Sequence, residues 1–202
     1  MSPAGRPRKI DPDIALARAL DVFWEKGYAQ TSMSDLIDAT GLHKGSLYSA
    51  FGDKESLFLH CLRAYIEKMR TGLLLELEQE SDPLLALRNT LIYMVEVFTS
   101  NGCDSSGARG CLAMKTLTQS PCISPEVNEF VASSNAELFE LLQSLLERVS
   151  EDAKHSLNHS VKVSALLIAT TLSGLCAQVM SSMTKQQALD LVDAQLELLI
   201  SH

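Results

Sequence analysis

Strand signals are almost missing from this chain: no stretch sustains an alternation of β-branched and polar residues, and no Asn-Gly pair marks a hairpin. Glycine and proline are sparse, ten and six in 202 residues, which excludes collagen-like and Pro-rich low-complexity sequence. No CxxC pair occurs, and the five cysteines (Cys61, Cys103, Cys111, Cys122, Cys176) are odd in number. That argues against a disulfide framework and for free thiols in a reducing compartment. No apolar run follows the Gly5-Arg6-Pro7-Arg8-Lys9 leader, so no secretory signal is expected and the chain is read as cytoplasmic. No Gly-rich phosphate loop and no paired carboxylates appear, so nothing supports catalysis and no cofactor is expected. His155 and His159 stand one helical turn apart without a third ligand nearby, and no metal site is assigned.

What the chain does have is apolar content and helix signals. Hydrophobic residues make up 46% of it and charged residues 21%, enough for a sizeable core and too apolar for a disordered chain. Net charge is −8, unevenly spread: residues 1–70 hold ten Lys/Arg against nine Asp/Glu, residues 71–202 seven against sixteen. An acidic protein can still bind nucleic acid if its cations are local, because affinity follows the charges near the phosphates.

Asp11-Pro12 offers an N-cap and a first-turn proline, and Leu16, Ala19, Leu20 and Phe23 repeat at helical spacing before Gly27. Ser32-x-x-Asp35 is a capping-box pattern, with Met33, Leu36 and Ile37 on one face ahead of Gly41. A short helix over 43–50 follows, anchored by Leu47 and Phe51, and Asp53 caps a long one towards Glu80. Further helices are expected from Pro83, through 109–118, from Pro125, across the uncharged stretch 163–184, and from Thr184-x-x-Gln187 to Ile200. Residues 101–108 and 150–158 read as connections. The expectation is an all-α chain of about nine helices with no sheet.

Helix, turn and short helix over 32–50 have the spacing of a helix-turn-helix, in which the first helix braces the second against the major groove. Met33, Leu36, Ile37 and Leu47 supply the bracing, and Gly41 suits the bend. His43, Lys44, Gly45, Ser46 and Ser49 face outward, with Tyr48 and Lys54 as phosphate contacts on either side. The alternative for Tyr48 is a core aromatic packing beside Leu47. Arg6 and Lys9, with Arg8, form either a minor-groove arm or a solvated tail.

The run Ala39-Thr40-Gly41-Leu42-His43-Lys44-Gly45-Ser46-Leu47-Tyr48-Ser49-Ala50-Phe51, continuing through Lys54-Glu55 and Leu57, resembles the DNA-binding signature of TetR-type regulators. So does the upstream Ala19-Leu20-x-x-Phe23-x-x-x-Gly27-Tyr28-x-x-Thr31-Ser32. The resemblance implies a homodimeric, cytoplasmic, all-helical repressor of a palindromic double-stranded operator, with Thr31 and Ser32 added to the DNA contacts. It also implies a head over 1–54, its leader 1–10 flexible, and a regulatory and dimerisation domain over 55–202. His43 departs from the pattern, standing where Ser or Thr is usual; its ring would have to replace the hydroxyl contact or read a base edge.

Residues 163–184 carry no Asp, Glu, Lys or Arg, long enough to span a bilayer, but eight of the 22 are Ser, Thr or Gln. A helix buried between its own core and a partner subunit accounts for them better than a membrane. Leu166, Ser173, Gly174 and Ala177, with Leu189 and Leu196 of the last helix, are the expected dimer contacts. That seam would set two recognition helices about 34 Å apart, or a multiple of it.

Cys111 stands at a helix start between Arg109 and Lys115, where free N–H groups and cations favour the thiolate. Arg109-Gly110-Cys111-Leu112 resembles a segment of TetR-type regulators that sense oxidants or electrophiles through cysteine. Cys111 is therefore a candidate redox switch or a buried structural thiol, with Cys103 and Cys122 as disulfide partners and Cys61 and Cys176 inert. Phe58, Leu62, Met69, Leu91, Met94, Val95 and Phe98 either line an effector pocket or form plain core. The competing readings are a regulator gated by a small apolar ligand with incidental cysteines, a thiol enzyme using Cys111, and a structural helical adaptor.

Overall fold

The computed structural model describes residues 11–100, 108–118 and 123–201. Arg6, Lys9, Cys103 and Cys122 lie outside the described residues. The chain divides into two compact units, Met1–Ala64 and Tyr65–His202.

The first unit contains α1 (Pro12–Gln30), α2 (Met33–Thr40), α3 (Lys44–Phe51) and the opening of α4 (Lys54–Glu78). Asp11 caps α1 by accepting from the Asp13 amide at 3.0 Å, and Pro12 occupies the first helical position. The backbone leaves helical geometry at Gly27 (φ 75°, ψ 165°), a left-handed value that a side chain resists. Ser32 and Asp35 complete the expected capping box, and Gly41 (φ 70°) ends α2 in the left-handed region. Ala15, Ala19, Phe23, Leu36, Leu47, Leu57, Phe58 and Leu62 are buried. At the centre Phe58 lies 4.8 Å from the ring of Phe23 and 5.0 Å from that of Tyr28. Each such side chain contributes roughly 1.5–3 kcal/mol by leaving water. The unit reaches past residue 54 because Phe58, Cys61 and Leu62, on the first turns of α4, belong to this core; Cys61 Sγ donates to the Leu16 carbonyl at 3.7 Å.

The second unit holds the rest of α4 with α5 (Pro83–Thr99), α6 (Leu112–Thr118), α7 (Pro125–Glu151), α8 (Val161–Val179) and α9 (Lys185–Leu199). Asp82, Ser124, Ser160 and Thr184 each cap the helix that follows them. α5 is central and packs on α7, α8 and α9, with Leu87, Leu91, Met94, Val95 and Phe98 buried. Arg88 holds Asp193 through two hydrogen bonds, 2.7 and 2.9 Å, fixing α9 to α5. One expectation is corrected: a sheet exists, though a minimal one. β1 (Ser156–Leu157) pairs antiparallel with β2 (Ile200–Ser201). The residues after the last helix return beside the connection at 156–157, and two-residue strands leave no alternation to read.

α8 is long and apolar enough to cross a membrane by length and composition. Its inner face (Ala165, Ile168, Leu172, Leu175, Cys176) is built into the core of a packed bundle.

Candidate nucleic-acid interface

The bracing expected of the head is present. Leu36 and Leu47 are fully buried, one from each helix of the pair. Apart from Phe51, which is also buried, α3 and its N-cap face outward: His43, Lys44, Gly45, Ser46 and Ser49 are exposed, and Tyr48 is 40% exposed. A Cβ added at Gly45 would meet nothing within 4 Å, so the surface beside it is open to a ligand's close approach. His43 occupies the N-cap of α3 without a side-chain capping bond, so its ring is not consumed by the helix. The first-turn N–H groups of α3 are thus available to an anion, in a segment whose charged side chain is Lys44. Lys44 Nζ lies 5.9 Å from the Tyr48 ring.

Two expected contacts are placed differently. Thr31 is 2% exposed and its hydroxyl donates to the Gly27 carbonyl at 2.7 Å. Its side chain holds the α1–α2 bend and cannot be a DNA contact in this arrangement. Lys54 Nζ donates to the Thr31 carbonyl at 2.7 Å and sits 4.4 Å over the Tyr28 ring. Partial burial pulls its pKa below the ordinary lysine value. The ammonium therefore braces the head from within, and only its remaining donor capacity can serve a phosphate. The helix-period pattern placed Lys54 at a helix start, but nothing in it announced a carbonyl 23 residues upstream.

Ser32 is exposed, and its amide and hydroxyl both donate to Asp35, at 2.8 and 2.7 Å. Lys26 Nζ donates to the same carboxylate at 2.7 Å. Lys26 first, then Ser32, holds the Asp35 carboxyl well below the usual carboxylate range. A depressed pKa adds stability above the unfolded-state value, about 4, that is lost as pH falls through the folded value. Denaturant midpoints of the wild type and Asp35→Asn should therefore differ at neutral pH and converge on acidification below about 4. A gap that widens on acidification would contradict the assignment.

The second unit presents an apolar face on its two last helices. Val163, Leu166, Leu167, Ser173, Gly174 and Ala177 are exposed along α8, and Leu191, Ala194 and Leu198 along α9. Of the expected dimer contacts, Leu166, Ser173, Gly174 and Ala177 lie on this face and Leu189 at its margin. Leu196 is corrected: it is 6% exposed and belongs to the core. On α9 the outward apolar positions run i, i+3, i+7 from Leu191, a spacing that was readable but shared a short helix with a second, inward stripe.

Behind that face lies a cavity of about 250 Å³, lined among others by Ile66, Met69, Met94, Phe98, Met114, Leu138, Leu142 and Leu172. Met69, Met94 and Phe98 of the expected stripe border it. Leu91 and Val95 are buried core, while Phe58 and Leu62 belong to the head. Cys111 also lines the cavity and is 4% exposed; Tyr65 Oη donates to its sulfur at 3.4 Å. Burial first, and then Cys111 and Cys176, push the Tyr65 phenol well above its ordinary value, so it stays a donor. Cys111 stands at the start of α6 as its N-cap, its carbonyl accepting from the Lys115 amide at 3.0 Å, and its own amide donates to Cys176 Sγ, at 3.1 Å. Cys176, expected to be inert in its apolar helical surroundings, thus receives a hydrogen bond from a residue 65 positions away in sequence.

Residues 15–61 match the family model described as bacterial regulatory proteins, tetR family. The transcriptional repressor ComR of Escherichia coli is 32% identical over 143 residues, covering 70% of this chain and 66% of that protein. The chain thus spans about two thirds of the length of that curated relative. Among solved structures, a cysteine mutant of the TetR family regulator CifR, complexed with 26-bp double-stranded operator DNA, is 30% identical with a TM-score of 0.79, covering 95% of this chain and 98% of that one. Reduced NemR of Escherichia coli, at 19% identity and a TM-score of 0.75 over 90% and 94% of the two chains, shares the fold.

Proposed function

The chain belongs to the TetR family of bacterial regulatory proteins, and on that premise we propose that it is a cytoplasmic, homodimeric repressor that binds a palindromic operator through α3 and the residues flanking it. The observation that carries this reading is the surface of α3 and its N-cap: polar or small at 43–46, 49 and 50, with Tyr48 also exposed and only Leu47 and Phe51 spent on the core. His43, Lys44, Gly45 and Ser46 are assigned to base edges and the groove wall. Ser32, Tyr48 and the spare capacity of Lys54 are assigned to phosphates, with Arg6 and Lys9 as a minor-groove arm. The dimer forms through the apolar face of α8 and α9. Relatives that are transcriptional regulators support a binding rather than an enzymatic role, and ComR and CifR support repression and operator DNA respectively. Release follows an event at the cavity, which admits a small apolar effector and exposes one thiol to it.

Selection from random duplexes tests this directly. The wild type should enrich a sequence with twofold symmetry, and His43→Ala or Lys44→Ala should relax preference at specific positions by about 1–3 kcal/mol per base pair. Enrichment of no symmetric sequence, or variants that lose affinity equally for every sequence, would overturn base reading by these residues.

A further inference from the structure

We propose that Cys111 and Cys176 are a peroxide-oxidisable pair, Cys111 the thiol attacked and Cys176 on α8 the thiol that resolves it into an intramolecular disulfide; the regulatory consequence, though not the bond, rests on the repressor reading above.

Three features on separate elements converge on this pair. Cys111 borders the cavity beside Met94, Phe98 and Leu172, so a small neutral oxidant reaches its sulfur from inside the bundle although bulk solvent scarcely does. Tyr65 Oη donates to that sulfur at 3.4 Å, which fixes it at the cavity wall. The Cys111 amide donates to Cys176 Sγ at 3.1 Å, which pins the second sulfur against the backbone of the first residue. From that nitrogen the Cys111 sulfur is three bonds away, and rotation about χ1 carries one sulfur towards the other.

Gly110 makes the approach feasible. It has φ +68°, and its amide donates to the Phe98 carbonyl at 3.1 Å, folding the chain back onto α5. A Cβ there would lie 2.6 Å from Met180 Sδ and 3.3 Å from Cys176 Sγ. The left-handed backbone strains any side chain at 110, so glycine favours the close approach of Cys111 to α8. Burial raises the Cys176 thiol, while the Cys111 amide and the Lys115 charge act in the opposite direction. A thiol held protonated suits the resolving role, which calls for attack only once the neighbour has been oxidised.

The Cys111 thiolate attacks one oxygen of hydrogen peroxide. An S–O bond forms, the O–O bond breaks, and the departing hydroxide takes the thiol's proton to leave as water. The Cys176 sulfur then attacks the Cys111 sulfenic acid, forming S–S and breaking S–O. The second hydroxide leaves as water with the Cys176 proton. Two thiols lose two electrons and one peroxide becomes two waters. The bond ties the residue ahead of α6 to the inner face of α8, whose outer face carries Ser173, Gly174 and Ala177 of the proposed subunit seam.

The test is non-reducing peptide mapping of the reduced full-length protein after hydrogen peroxide and alkylation of remaining thiols. A Cys111–Cys176 peptide pair, lighter by two hydrogens and abolished by dithiothreitol, is expected. In Cys176→Ala, dimedone should trap several times more sulfenic acid at Cys111 than in the wild type. Cys111 joined to Cys103 or Cys122, equal dimedone labelling in a folded variant, or an unmodified Cys111 would each overturn the proposal. The wild-type map stands even if that variant fails to fold. Operator affinity of the same samples keeps the two readings apart: reduced protein that ignores DNA refutes the repressor assignment, whereas the map alone decides the disulfide.

Discussion

Leu198→Asp should convert the dimer into well-folded monomers and weaken operator binding by a factor on the order of 10²–10⁴, the avidity lost when two heads are no longer linked. Leu198 is 74% exposed in the isolated chain, so the substitution removes no core packing and should leave monomer stability within about 0.5 kcal/mol. In the dimer the same position lies within an apolar face, where a carboxylate would be stripped of water without a partner. Sedimentation velocity and fluorescence anisotropy read the two effects separately. A variant that stays dimeric and binds DNA normally would remove α9 from the seam, and Leu167→Asp on α8 gives the independent check.

The second large effect belongs to the head. Leu47 is the buried residue of α3 around which the exposed ones are arranged, and its side chain is 0% exposed. Leu47→Ala should cost about 2–5 kcal/mol, because neighbours close only part of the space left behind. A head built round one small core has little stability to spare. The variant should therefore lose operator binding through local unfolding, with the second unit still melting cooperatively. Ser49→Ala, exposed two residues away, should change stability by no more than about 0.5 kcal/mol. Denaturant titration followed by hydrogen exchange of the α3 amides distinguishes the two; an unperturbed Leu47→Ala head would mean that α3 is held by something other than its apolar anchor.

The helical architecture was legible because its signals are local. Capping boxes at Ser32 and Thr184, prolines at the first positions of α1, α5 and α7, and apolar stripes at 3.6-residue spacing marked the elements directly. Positions whose meaning depends on distant contacts were not. Thr31 matches a DNA-contact pattern by spacing, yet its hydroxyl answers the carbonyl that Gly27 frees when the helix breaks. Lys54 carries a charge that spacing assigns to phosphate, and tertiary structure gives it a carbonyl and an aromatic face first. Leu196 and Leu198 differ by two residues on one helix, so they point to nearly opposite sides, and hydrophobicity alone does not say which side meets solvent. Cys176 shows the limit most clearly: its significance is one 3.1 Å contact with a residue on another element.

Native mass spectrometry of the protein titrated with a symmetric operator duplex, against a duplex carrying half of it, bears most directly on the claim that two heads act as one reader. Two chains, or an even number, should occupy each full duplex, with the half-site bound far more weakly. Saturation of the full duplex by a single chain, at an affinity the half-site matches, would contradict it.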